Sequence, residues 1–137
     1  MGALLGQAQA RFHEECERQL AVAGFADISL SHSINVLRHL RARAPRRISE
    51  VARISSVTKQ AISQQVAYLA DRDYIVVTPD ESDGRRKCIM LTPRGEACLQ
   101  TMGRIFGDVE SEWRARHGAE RIAELTAVLE AIVAHPG

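Results

Sequence analysis

The chain has 137 residues, enough for one compact domain. It is 45% hydrophobic but only 4% aromatic, no apolar run approaches the roughly 18 residues of a membrane span, and its first residues lack the basic leader and long apolar core of a secretory signal, so a cytosolic chain without membrane contact is expected. The net charge is only +1, yet residues 28–47 hold five arginines and no acid while both ends are acidic, a pattern that suits a chain whose centre meets a polyanion.

Residues 3 to about 22 are rich in Ala, Leu, Gln, Glu and Arg and contain no Pro. Leu5, Phe12, Cys16 and Leu20 recur at helical spacing, which predicts an amphipathic helix ending near Gly24. A second helix is predicted over "SLSHSINVLRHLRAR", capped by Ser29 or Ser31, with Ile34, Leu37 and Leu40 on one stripe; it must stop before Pro45. "ISEVARIS" reads as a short helix with Ser49 as cap. "SVTKQAISQQVAYLADRD" follows, with Thr58 as cap and Ile62, Val66, Leu69 and Ala70 as its inner face. Two β-branched runs, Asp73–Pro79 and Cys88–Thr92, flank "DESDGRRK" and predict a hairpin with an exposed, charged tip. A long helix begins near Thr92, with Pro93 suited to its first turn and Gly103 and Gly107 permitting a bend. The final helix carries Ile122, Leu125, Leu129 and Ile132 as an apolar stripe.

The expected fold is therefore mainly α with a small β-hairpin. There is no βαβ alternation and no Gly-rich phosphate loop, which excludes a doubly wound nucleotide-binding fold. No paired carboxylates and no nucleophile–base set emerge, and no enzyme is expected. A short helix, a tight turn and a second helix with one apolar and one short polar face make a helix-turn-helix, with Ala52 allowing close crossing and Val57 plugging the turn. The polar face offers Thr58, Lys59, Gln60, Ser63 and Gln64. Gln bonds adenine bidentately, Lys reaches guanine or phosphate, and short hydroxyl side chains serve either. An ordinary solvated helix face favours Glu–Lys pairs, but this helix holds no Glu and its first acid is Asp71.

The hairpin that follows converts the motif into a winged helix. Arg85, Arg86 and Lys87 would reach the adjacent backbone or minor groove, whose negative potential over A·T tracts attracts Arg. Asp83 is expected to hold and aim the Arg85 guanidinium, with Asp80 and Gly84 shaping the turn. Arg46 and Arg47 would either touch phosphate or lie in solvent.

"DESDGRRKCIMLTPRG" resembles the wing signature of the MarR (multiple-antibiotic-resistance regulator) family, in which Asp, Asp-x-Arg, a strand and Leu-Thr-x-x-Gly follow in order. "ISEVARISSVTKQAISQQVAYLADRDYI" is similar to that family's helix-turn-helix, so the likeness spans roughly residues 48–95. It implies a homodimeric winged-helix transcription factor, a repressor that binds double-stranded DNA at an inverted repeat and is released by a signal. On this basis residues 28–95 form the DNA-binding region, and residues 1–24 and 96–137 form a helical dimerisation region within one domain. The wing pair falls on Asp83 and Arg85. Two positions depart from the family's pattern: Ser55-Ser56 replaces an apolar residue and Gly in the turn, and Asp73 replaces the Gly before the first wing strand, where Asp tolerates a left-handed backbone.

The same resemblance implies an effector, either a small aromatic or phenolic ligand, an oxidant read by cysteine, or a metal. Cys16 lies near the position of the reactive Cys in peroxide-sensing relatives, but no tyrosine lies nearby, and a core thiol is the competing reading. His13 with Cys16, and His32 with His39, share helical faces at spacings too common to mark a site, so no cofactor or metal is expected. The alternative function is a winged-helix protein-interaction module whose wing engages an acidic partner.

Overall fold

The computed structural model describes residues 1–135 and 137. Six α-helices and three short strands run in the order α1 (Gly2–Val22), α2 (Leu30–Asn35), β1 (Arg46–Arg47), α3 (Ile48–Ser55), α4 (Lys59–Asp71), β2 (Ile75–Pro79), β3 (Lys87–Leu91), α5 (Pro93–His117) and α6 (Ala119–Ala134), with a 3-10 turn at Leu37–His39. The strands form an antiparallel sheet in the order β1-β3-β2. This is a winged helix-turn-helix attached to a layer made by the first and last two helices.

Local chemistry sets the helix ends. Helix α1 stops where Gly24 takes φ +100, with the Gly24 N–H bonded to the Ala21 carbonyl and the Phe25 N–H to that of Leu20. The same paired closure ends α4. Asp73 takes φ 64, its N–H reaches the Ala70 carbonyl, and the Tyr74 N–H reaches Leu69. The left-handed conformation expected of Asp73 is thus present. Thr58 caps α4 as expected, accepting the Ala61 N–H at 3.2 Å.

The turn between α3 and α4 closes without the family's Gly. Ser56 itself adopts φ 56, ψ 31, which costs a side-chain-bearing residue about 1–2 kcal/mol. The Ser55 hydroxyl donates to the Val51 carbonyl at 2.6 Å, helping to satisfy the end of α3, while Val57 packs on the core.

Two local expectations fail. The predicted second helix breaks at Val36 (φ −125, ψ −67), and Val36, Leu37 and Leu40, from the break onward, are all buried. The chain then folds back through an Arg41–Ala44 bridge, with Arg43 at φ 61, to leave Arg46 and Arg47 as the unforeseen edge strand β1. Since Arg47 stays extended, it and not Ser49 occupies the cap position of α3, with no side-chain cap. Helix α5 runs unbroken through Gly103 and Gly107.

The core joins both layers through Leu20, Leu37, Ile62, Tyr74, Ile89 and Met102. Phe12 of α1 meets Phe106 and Trp113 of α5, each at 5.7 Å between ring centroids. No residue of α6 is buried; Leu125 is 46% and Val133 79% exposed.

Where β2 begins and α5 begins, the backbones nearly touch. The Thr92 hydroxyl donates to the Asp73 carbonyl at 2.5 Å and accepts the Gly95 N–H at 3.1 Å, and the Thr92 N–H reaches the Tyr74 carbonyl at 3.2 Å. A Cβ on Gly95 would lie 2.0 Å from that carbonyl oxygen. Gly95→Ala must therefore push α5 off the sheet, and a urea melt should show a loss of at least about 1–3 kcal/mol, the usual cost of overpacking; an unchanged midpoint would refute this close approach.

Candidate nucleic-acid interface

Helix α4 presents Lys59, Gln60, Ser63 and Gln64 to solvent, and Thr58 is exposed at its start although its oxygen is engaged as the cap. No acid shares this face before Asp71, so nothing on it repels a polyanion or competes for Lys59. Beside it lies an open cleft of about 510 Å³ lined by Arg47, Ile48, Ser49, Lys59, Ser63, Arg85, Arg86 and Lys87. Five cations from β1, α4 and the hairpin thus converge. The fold brings together Lys59, Ser63 and the three wing cations foreseen from sequence; Thr58, Gln60 and Gln64 lie outside the cleft.

Arg47 is one of the two cations, with Arg46, whose role the sequence leaves undecided. Its Nε donates to Asp80 Oδ2 at 2.5 Å, and Asp80 Oδ1 accepts from the Ser82 N–H and hydroxyl, each at 3.0 Å. These bonds, those of Ser82 first and that of Arg47 next, hold the Asp80 carboxyl below the usual carboxylate range. Asp80 therefore ties the root of the wing loop to β1. No sequence signal pairs residues 33 apart without first knowing that β1 exists.

Asp83 acts differently from expectation. Its Oδ1 accepts the Arg85 backbone N–H at 3.1 Å, and its Oδ2 faces Arg86 Nε at 3.4 Å. The tight turn brings the amide of the second following residue onto the carboxylate, which leaves the third, Arg86, in reach of the other oxygen. Asp83 thus holds Arg85 by its backbone. Among the described residues no hydrogen bond or ion pair engages the Arg85 guanidinium, nor the ammonium groups of Lys59 and Lys87. Gly84 is not required by the loop's shape, since its φ is not positive and a Cβ there would meet nothing within 4 Å. Lys87 belongs to β3, opposite Pro79.

Cys16 is fully buried, and burial, then Glu15 and Glu17, push its thiol up to about 11. A thiol so shifted holds almost no thiolate at neutral pH, the opposite of a reactive sensor. Cys98 is likewise buried and pushed up to about 11 by burial. The oxidant alternative draws no support from this environment. No group of three or more His, Cys, Asp or Glu residues placed to hold a metal occurs among the described residues, and no helix among them is long and apolar enough to cross a membrane.

Comparison with known proteins gives the family. A family model described as "MarR family" matches residues 26–86. The HTH-type transcriptional regulator TcaR of Staphylococcus aureus (strain Newman) is 32% identical over 108 residues, covering 77% of this chain and 70% of that protein. Among solved structures, the transcriptional repressor CouR bound to a 23-mer DNA duplex superposes with a TM-score of 0.79 at 24% identity, over 97% of this chain and 92% of CouR. A mutant MarR from E. coli complexed with operator DNA superposes with a TM-score of 0.76 at 21% identity, over 96% of this chain and 91% of that one. Sequence match, helix-turn-helix and wing agree: the chain belongs to the MarR family of transcriptional regulators.

Proposed function

We propose that the protein is a repressor that binds an inverted-repeat DNA operator as a homodimer and is released by a small-molecule effector. The convergence of Arg47, Lys59, Arg85, Arg86 and Lys87 beside an acid-free polar helix face carries this reading. Helix α4 enters the major groove, where Gln60, Ser63 and Gln64 meet base edges and Lys59 meets guanine or phosphate. Arg85 reaches the minor groove flanking it. The CouR and MarR structures with DNA support the same placement by likeness of fold. A cytosolic location accords with it.

The dimer reading rests on the terminal helices. Leu125, Val128, Ile132 and Val133 of α6 and Leu4 and Leu5 of α1 are exposed, an apolar surface that a lone protomer leaves in water. Two recognition helices related by a two-fold axis require half-sites about one helical turn apart, roughly 10 bp, or a multiple of it.

Mobility shifts on genomic fragments at two salt concentrations test the proposal. Salt-sensitive, fragment-selective retardation is expected; no retardation at low salt would instead favour an interaction module with an acidic protein partner. Arg85→Ala should weaken binding to every site and reduce the salt slope by about one phosphate-equivalent per subunit. Gln64→Ala should relax base preference at one position of each half-site, costing about 1–3 kcal/mol at the preferred base. If Arg85→Ala changes neither affinity nor slope, the wing is only a solvated turn. Leu125→Asp with Leu129→Asp should yield monomers in sedimentation that bind DNA poorly, and an intact dimer would remove α6 from the interface. Cys16→Ser should leave DNA release by peroxide unaltered; loss of such a response would restore the oxidant sensor.

A further inference from the structure

On the side of α4 turned toward the protein, a histidine is held as an acceptor. His32 Nδ1 accepts the Ser29 backbone N–H at 3.1 Å and lies 3.1 Å from Ser29 Oγ. An acceptor nitrogen carries no proton, so the neutral ring has its hydrogen on Nε2. The half-buried imidazole stacks on Tyr68 of α4, 4.6 Å between centroids and 17° between planes. Tyr68 stands one turn after Gln64. Its hydroxyl donates to the Asp27 carbonyl at 2.5 Å, and the Arg72 guanidinium sits 3.4 Å from the same ring's centroid.

We propose that neutral His32 is a positioning residue for α4, seating Tyr68 against the α1–α2 connection, so that protonation of His32 releases the recognition helix and makes DNA binding acid-sensitive. This rests on the DNA-binding function above. Protonated Nδ1 would oppose the Ser29 N–H donor with another donor. It would also add a second cation to a Tyr68 ring already occupied by Arg72. The charged groups facing the imidazole are Glu17 from α1, Asp27 from the connection and Arg72 from α4. Burial, then Arg72, hold its pKa below the ordinary 6.5 against the opposing pull of Glu17 and Asp27. The sign follows from proton linkage: a conformation with His32 in solvent binds a proton near pH 6.5, the seated one only at lower pH. Acid therefore favours the released conformation, by up to about tenfold per subunit for each unit of pKa difference.

Two measurements on the full chain test this. In the first, affinity for a bound DNA fragment is compared at pH 7.5 and 5.5 and constant salt for wild type, His32→Gln and His39→Gln. Gln at the third position of a helix accepts the cap N–H without titrating. Wild type and His39→Gln should lose affinity several-fold in acid while His32→Gln stays nearly level; parallel profiles for wild type and His32→Gln would overturn the proposal. In the second, the imidazole of wild-type His32 is titrated by NMR without DNA. A midpoint below 6.5 with Nδ1 unprotonated is expected, and a midpoint at or above 6.5 would overturn the proposal. The titration decides the matter even where His32→Gln does not fold. Failure of the wild type to bind any DNA fragment would refute the proposed function instead, and leave the titration to judge His32.

Discussion

Asp27, in the short connection between α1 and α2, is the point to which α4, the head of β2 and α5 are tied. Its carbonyl accepts the Tyr68 hydroxyl of α4; its carboxylate accepts the Tyr74 hydroxyl at the head of β2, at 2.5 Å, and Arg94 of α5 at 3.3 Å. Arg94 also donates to the Tyr74 oxygen at 2.9 Å and lies over the Phe25 and Tyr74 rings. The Tyr74 hydroxyl first, with Arg94 adding to it, keeps the Asp27 carboxyl below its usual range, while burial and the Asp27 carboxylate push the Tyr74 phenol well above its own. The two shifts agree: an ionised acid holds a neutral phenol. With over a third of Asp27 and Arg94 exposed, their ion pair contributes little to stability by itself. Its importance is geometric, because one residue joins α4, the head of β2 and α5 in one frame.

The Thr92–Gly95 junction completes that frame from the opposite end of the wing. β2 leaves α4 through Asp73 and Tyr74, whose carbonyls are both taken by Thr92, and α5 starts at once. A displacement of α5 by a fraction of an ångström is therefore felt at the start of β2, since the backbone contact leaves no slack for it. His32 and Tyr68 reach this frame from the other side, through the Asp27 carbonyl, so the proposed protonation of His32 would act on α4 from within the protein.

Much of this was legible in the sequence because local rules and the tertiary structure agree. Thr58 caps the helix that its position announces, Asp73 takes the left-handed turn that short polar side chains tolerate, and Val57 plugs the turn. What could not be read is what depends on pairing at a distance. β1 is two arginines long, with no alternation to reveal it, and only its partner β3 makes it a strand. The break at Val36 is equally hidden, since Val36, Leu37 and Leu40 would share one face of a continued helix and nothing local marks its end. Asp83 shows the opposite limit. Its proximity to the wing arginines follows from sequence, but whether a carboxylate meets a guanidinium or an amide depends on the sense of a four-residue turn.

The wing's charges divide into anchors and free ends, and the division follows from what each must do. An arginine engaged with an acid in the free protein has to give up that bond before it can take a phosphate, so part of the new interaction is spent in exchange. Arg47 is so engaged, with Asp80, and its bond fixes the root of the loop to the edge of the sheet. Arg86 is half engaged, facing Asp83 at 3.4 Å. Arg85 has its backbone fixed by Asp83 and its guanidinium unbound among the described residues. The acids of the loop therefore do not cancel its cations. They fix the path of the chain so that Arg85 projects from a preset position, and its guanidinium can meet a phosphate or a narrow minor groove with only its own side-chain freedom left to lose.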